Sequence, residues 1–386
     1  MSQTKKIAIL ADFPIHLLPN SPFDAPKGHF ATWLPQLAKS FESEKEFKFH
    51  WLTLNCAVKE NKEIKAWNQT FHVLPTWKRG RAATLFYVDR QRIRQKLRQI
   101  EPLLVHGWGN ENVWGWATVT SRTRNIFSIQ GLLGYYCKLG HPSIRERVMA
   151  IIEAVVLQKA MVLTAESPWT IQQVERLNGR KDVKLVEYGV PDEFFSADHA
   201  PVMHNPYAVM VGTADFRKGI DLAVQLFSRP ELAGIRLKVV GGVSPYGENW
   251  RKSSSANIEW LGRKTQAEIT QLMGGATCLL LPTRGDTGPT VAKEARVIGL
   301  PIVASPHGGH IQYVEKEANG FICDLEAPEA WSQAIRYLFD DLSRAKLMGR
   351  VDQNKHRELL RAERTARRFI DLYNQILSTP RANECE

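Results

Sequence analysis

At 386 residues the chain is long enough for two to three domains, each burying its own core. A hydrophobic share of 44% beside 24% charged residues is that of an ordinary globular protein and excludes low-complexity and fibrous classes. The net charge of +11 leaves nucleic acid, an anionic membrane face and phosphorylated ligands open as partners, whereas five scattered cysteines without a CxxC pair indicate neither a disulfide frame nor a zinc site and suit a reduced, cytoplasmic setting.

The polar start runs directly into an apolar strand over residues 5–12, so no signal peptide is expected, and no apolar run is long enough to span a bilayer. A long proline-rich loop follows and ends at Lys27-Gly28-His29; loops of this length at the end of a parallel strand are more often functional than idle. Helical spacing then joins Phe30, Trp33, Leu34, Leu37 and Phe41, and a strand is expected over 50–55. The stretch 65–81 fits no single period. A helix over 84–100 carries Arg90, Arg92, Arg94, Lys96 and Arg98; their period of two spreads them around the helix, which reads as a solvated face rather than a binding patch. Strands over 102–106 and 124–130 follow, the second ending Gln130-Gly131. The aromatic cluster Trp108, Trp114 and Trp116 suits either a platform for sugar rings or an aromatic core. Ser143-x-x-Glu146 is a capping box opening a helix to about 158, and Ser167-Pro168 starts another.

Residues 192–206 read as a linker. A second strand–helix series begins with a strand over 207–212, Asp215-Phe-Arg217-Lys218-Gly219 and a helix over 220–227. A cation at a helix N-terminus opposes the dipole, so Lys218 asks for an anionic partner. Strands over 235–240 and 257–262 lead to the capping box Thr265-x-x-Glu268. The apolar run 277–281 reads as a buried parallel strand, and Gly288-Pro289 opens a helix that Gly299 stops. The amides of Thr290 and Val291 would then face outward at a positive dipole end, a place that binds phosphate. Asp286 lies before this helix and Glu294 within it, separated by roughly 12 Å if the interval were helical. Two acids that far apart cannot grip one atom, but they can grip the two ends of a nucleotide-sugar around its diphosphate.

Asp286-x7-Glu294-Ala295, followed by Gly299-Leu-Pro-Ile-Val-Ala-Ser305, resembles the signature of retaining GT-B glycosyltransferases of family 4, the glycosyltransferase group 1. The resemblance covers nearly the whole chain and is strongest from Val209 to Cys323. It implies an α/β fold of two Rossmann-like domains facing a cleft, with parallel sheets and helices on both faces. An acceptor domain would span 1–191, a nucleotide-sugar domain 207–361, and the helix 362–378 would cross back to the first domain. It further implies that Gly28 lets the backbone approach the ligand. Gly212 and Lys218 stand in the Gly-Arg-x-x-x-x-Lys-Gly element, where Thr213 replaces the Arg and Arg217 supplies the missing cation. Leu261 and Gly262 would hold the base, Thr290, Val291, Lys218 and Arg217 the diphosphate, Glu294 the ribose, and Asp286 and Gln130 the donor sugar. The family's usual Glu, His and Glu are here Asp286, Gln130 and Gln312.

The expected activity is retaining hexosyl transfer from a UDP- or GDP-type sugar to a glycan, lipid-linked or small-molecule acceptor, in surface polysaccharide or glycoconjugate synthesis. No metal or other cofactor and no nucleic acid is expected, and peripheral contact with an anionic membrane is open. A sugar-nucleotide epimerase of the same fold and a binding-only relative are the alternatives. Epimerisation without acceptor would identify the first; the joint departures at Asp286, Thr213, Gln130 and Gln312 speak for the second.

Overall fold

A computed structural model describes residues 4–24, 33–140 and 142–380. The chain divides into two compact units. The first comprises residues 1–166, 171–189 and 362–386, the second residues 167–170 and 190–361.

The first unit is built on eight strands: β1 (Lys5–Leu10), β2 (Phe47–Asn55), β3 (Lys62–Ala66), β4 (Gln69–Pro75), β5 (Leu104–Trp108), β6 (Arg124–Ser128), β7 (Val162–Ala165) and β8 (Val183–Leu185). They lie in the order β3-β4-β2-β1-β5-β6-β7-β8, parallel except for β3 against β4. β3 and β4 account for much of the stretch that follows no single period. Ala66 pairs with Gln69, so Trp67 and Asn68 form a two-residue turn, and both have positive φ (49° and 56°). That is the twist a tight hairpin needs, supplied here by Trp-Asn instead of the usual Asn-Gly.

β5 is buried throughout, as a parallel strand between helix layers must be. His106 on it is fully buried, held by the Tyr373 hydroxyl at 2.8 Å and the Ser128 hydroxyl at 2.7 Å, and burial lowers its pKa to about 3. It is a neutral structural residue. Trp108 and Trp114 are likewise core, each 1% exposed, and Trp108 donates its indole N–H to Tyr188. The helix Ala362–Ser378 packs Phe369, Leu372 and Tyr373 into this same core.

The second unit holds β9 (Tyr207–Val211), β10 (Arg236–Val240), β11 (Ile258–Gly262), β12 (Cys278–Leu281), β13 (Ile302–Ala304) and β14 (Gly320–Ile322). All are parallel, in the order β11-β10-β9-β12-β13-β14. The region read as a linker is folded onto this unit. Asp192–Phe195 is a short helix, and Phe194 and Phe195 are buried in its core. Aromatic side chains of that size bury too much apolar surface to be left on a free tether.

Candidate functional site

The strand order of the second unit reverses between β9 and β12, which makes their carboxyl ends the switch point of this sheet. In open parallel sheets that switch point is where ligands bind. The loop after β9 carries Arg217 and Lys218; the loop after β12 carries Asp286.

Local chemistry joins the two loops. The Thr283 hydroxyl and the Arg284 amide both donate to the Arg217 carbonyl, at 3.0 and 2.8 Å. The Arg284 guanidinium forks onto the Asp221 carboxylate at 2.9 and 2.6 Å and donates to the Phe216 carbonyl, lying over the Phe216 ring. A planar fork of this kind fixes direction as well as distance. Gly219 makes the approach sterically feasible. It has a φ of +74°, and a Cβ there would sit 2.0 Å from the Pro282 carbonyl oxygen.

Inside this frame, one carboxylate oxygen of Asp286 accepts from the Lys218 ammonium and, at 3.2 Å, from Arg217, which also donates to the Gly285 carbonyl at 3.1 Å. Burial alone would raise the Asp286 carboxyl. Lys218 and Arg217, with His310 a smaller contributor, outweigh it and hold the group well below the usual carboxylate range. The anion that Lys218 demands is therefore supplied within the fold by Asp286. Lys218 also runs beside Gly212, whose φ of +139° ends β9.

The helix Thr290–Ile298 starts one residue later than the Gly-Pro pair suggests: Pro289 is the cap, in extended conformation, and Gly299 closes the helix in the left-handed region. Thr290 and Val291 form its first turn. Glu294 is 7% exposed, and burial pushes its carboxyl up to about 8 against the opposing charge of Lys293. At neutral pH it is a neutral acid, able to donate as well as accept.

Leu261 and Gly262 end β11 at the same sheet edge, and the Gly262 carbonyl accepts the Gly241 amide at 2.8 Å. Gln130 belongs to the first unit, just beyond β6, with its side chain beside Gly109. Gly28 lies outside the described residues.

Two further features of the site lie outside the expected site residues. His310 is fully buried near Asp286; its Nε2 donates to the Ser305 carbonyl at 2.7 Å, its Nδ1 has no hydrogen-bond partner among the described residues, and burial lowers its pKa to about 4. The paired glycines before it were the available signal, because Gly309 packs where a Cβ would be 2.2 Å from the Thr287 carbonyl oxygen. The second is the helix start at Ser167: the hydroxyls of Ser167 and Thr170 donate to that same Thr287 carbonyl at 2.5 and 2.8 Å and tie the start to the Asp286 loop. Among the described residues no group of three His, Cys, Asp or Glu side chains could hold a metal ion.

Two mostly parallel sheets, with paired cations and a buried acid at the switch point of the second, define an α/β protein of GT-B type. Residues 191–356, most of the second unit, match the family model of glycosyl transferases group 1. It is 25% identical over 190 residues to a D-inositol 3-phosphate glycosyltransferase of Corynebacterium glutamicum, covering 46% of this chain and 45% of that protein. It is also 25% identical over 209 residues to the amylovoran biosynthesis glycosyltransferase AmsK of Erwinia amylovora, covering 49% of each. The chain thus spans less than half the length of these relatives. Sucrose-phosphate synthase from Thermosynechococcus elongatus superposes with a TM-score of 0.80 at 18% identity, over 97% of this chain and 99% of that one. Anabaena HepE in complex with UDP-glucose gives 0.69 at 14% identity, over 96% and 99%.

Proposed function

We propose that the chain transfers a hexosyl group from a nucleoside-diphosphate sugar, of UDP or GDP type, to a hydroxyl acceptor with retention of anomeric configuration. The observation that carries this reading is the shared Asp286 carboxylate between Lys218 and Arg217 at the switch point, two cations against one acid. A diphosphate has the charge and the oxygen geometry to take the cations over. Asp286 would then turn to hydroxyls of the donor sugar, the amides of Thr290 and Val291 would meet the phosphates, and Glu294 the ribose. Leu261 and Gly262 stand at the edge where a base would lie.

In the step proposed, the bond from the anomeric carbon to the phosphate oxygen breaks and the acceptor oxygen bonds on the same face. The acceptor proton passes to the departing phosphate, whose charge Lys218 and Arg217 stabilise. Such a route needs no titrating group at the Gln130 position. Glycan, lipid-linked and small-molecule hydroxyls are the acceptor classes proposed, in surface polysaccharide or glycoconjugate synthesis. No helix among the described residues is long and apolar enough to cross a membrane. The test is incubation with UDP- and GDP-hexoses while following released nucleoside diphosphate and the anomeric signal of the product by NMR. Turnover with retained configuration is expected; an interconverted nucleotide-sugar without release would make the chain an epimerase instead.

A further inference from the structure

The first unit holds a cavity of about 490 Å³ at the amino edge of its sheet, between the C-terminal end of the helix Tyr87–Ile100 and the start of β6. Its walls include Arg94, Arg98, Arg122, Ser121, Thr123 and Glu101. Gln130, placed beyond the other end of β6, stands at the opposite sheet edge; five residues of strand separate the two edges by roughly 16 Å.

The basic helix divides into two sets. Arg92 donates to the Pro75 carbonyl at 2.7 Å, Lys96 pairs with Glu63 at 3.6 Å, and Arg90 lies over the Trp116 ring. These three are occupied within the fold. Arg94 and Arg98 are exposed, turn into the cavity and, like Arg122, form no ion pair or hydrogen bond among the described residues, although Glu101 shares the wall. The helix dipole accounts for Arg98 in the last turn. It does not account for Arg94, which stands four residues from both Arg90 and Arg98, a spacing at which like charges destabilise a helix. Nor does it account for Arg122, a long cationic side chain on a residue with φ of +63°, a conformation in which glycine or asparagine is favoured.

Three guanidiniums against one carboxylate suit a dianion, the cavity lies within the size range of small-molecule sites, and the Ser121 and Thr123 side chains offer partners for hydroxyls. We propose that this cavity binds a soluble phosphate monoester with a hydroxylated body, of the sugar-phosphate class, at a site other than the Lys218–Asp286 pair. The inference does not depend on the transferase reading.

The test is calorimetric titration of the full chain with glucose 6-phosphate, repeated with saturating UDP, with the Arg94→Ala/Arg122→Ala variant, and beside vesicles rich in phosphatidylglycerol. Saturable binding that UDP leaves intact, and that the double variant weakens by roughly tenfold or more, is expected. Both arginines are exposed, so the variant should keep the wild-type melting temperature, and Lys218→Ala should bind glucose 6-phosphate as wild type does. Absence of saturable binding, loss of binding with UDP, or equal affinity in the double variant overturns the proposal. Capture by the vesicles through these arginines, without competition from glucose 6-phosphate, also overturns it.

Discussion

Replacing Glu294 by Gln tests the electrostatics of the helix Thr290–Ile298 apart from any catalytic assumption. Burial carries the Glu294 carboxyl from an ordinary 4.5 to about 8. A raised carboxyl binds its proton in the folded state where the unfolded chain has already lost it. Stability from this group is therefore present below the unfolded pKa and is lost progressively between about pH 4.5 and pH 8. At about 1.36 kcal/mol per factor of ten in proton affinity, the interval corresponds to roughly 5 kcal/mol. Gln has the shape of the protonated acid and no titration. The variant should match wild type near pH 4.5 and gain on it steadily up to pH 8, by at least about 2 kcal/mol on the urea-unfolding scale. Urea unfolding of both proteins at half-unit steps from pH 4.5 to 8.5 measures the difference directly, because every other titrating group cancels. A difference that stays flat across this range would refute the burial argument.

Asp286→Asn frees Lys218 and Arg217 from their internal counter-charge, so binding of a bare nucleoside diphosphate should tighten by roughly tenfold in calorimetry while sugar transfer falls. Gly219→Ala puts a Cβ 2.0 Å from the Pro282 carbonyl oxygen at a φ of +74°, and should cost more than about 2 kcal/mol in urea unfolding together with loss of nucleotide binding. Glu153, buried in the first unit and raised to about 7, accepts the amides of Leu133 and Gly134 at 2.9 and 2.7 Å. Glu153→Gln keeps only one acceptor oxygen, so hydrogen exchange at one of these two amides should accelerate by roughly tenfold.

The βα rhythm and the Asp286–Glu294 spacing were legible because both are written in local residue types: apolar runs of strand length, capping boxes at Ser143 and Thr265, Gly299 as a helix stop. The hairpin of β3 and β4 was not, since its turn rests on Trp67 and Asn68 adopting a backbone that glycine usually takes. Residues 192–206 looked like a tether because their two prolines and short apolar content fit a linker, yet tertiary burial of Phe194 and Phe195 decides their place. Within the site, Lys218 and Asp286 were each recognisable, but not their pairing. An ion pair between positions 68 apart in sequence depends on the strand order, which no local pattern states. The burial of His310 beside Asp286 was hidden for the same reason, the paired glycines before it being the one local signal.

The proposed seat for a nucleoside diphosphate is Lys218 and Arg217 at the β9–β12 switch point. Calorimetric titration of UDP and of GDP into wild type and Lys218→Ala tests it most directly. At least one of them should bind wild type, and the substitution should weaken it by roughly tenfold or more while the melting temperature without ligand changes little. Failure of both nucleotides to bind, or equal affinity in the variant, would contradict it.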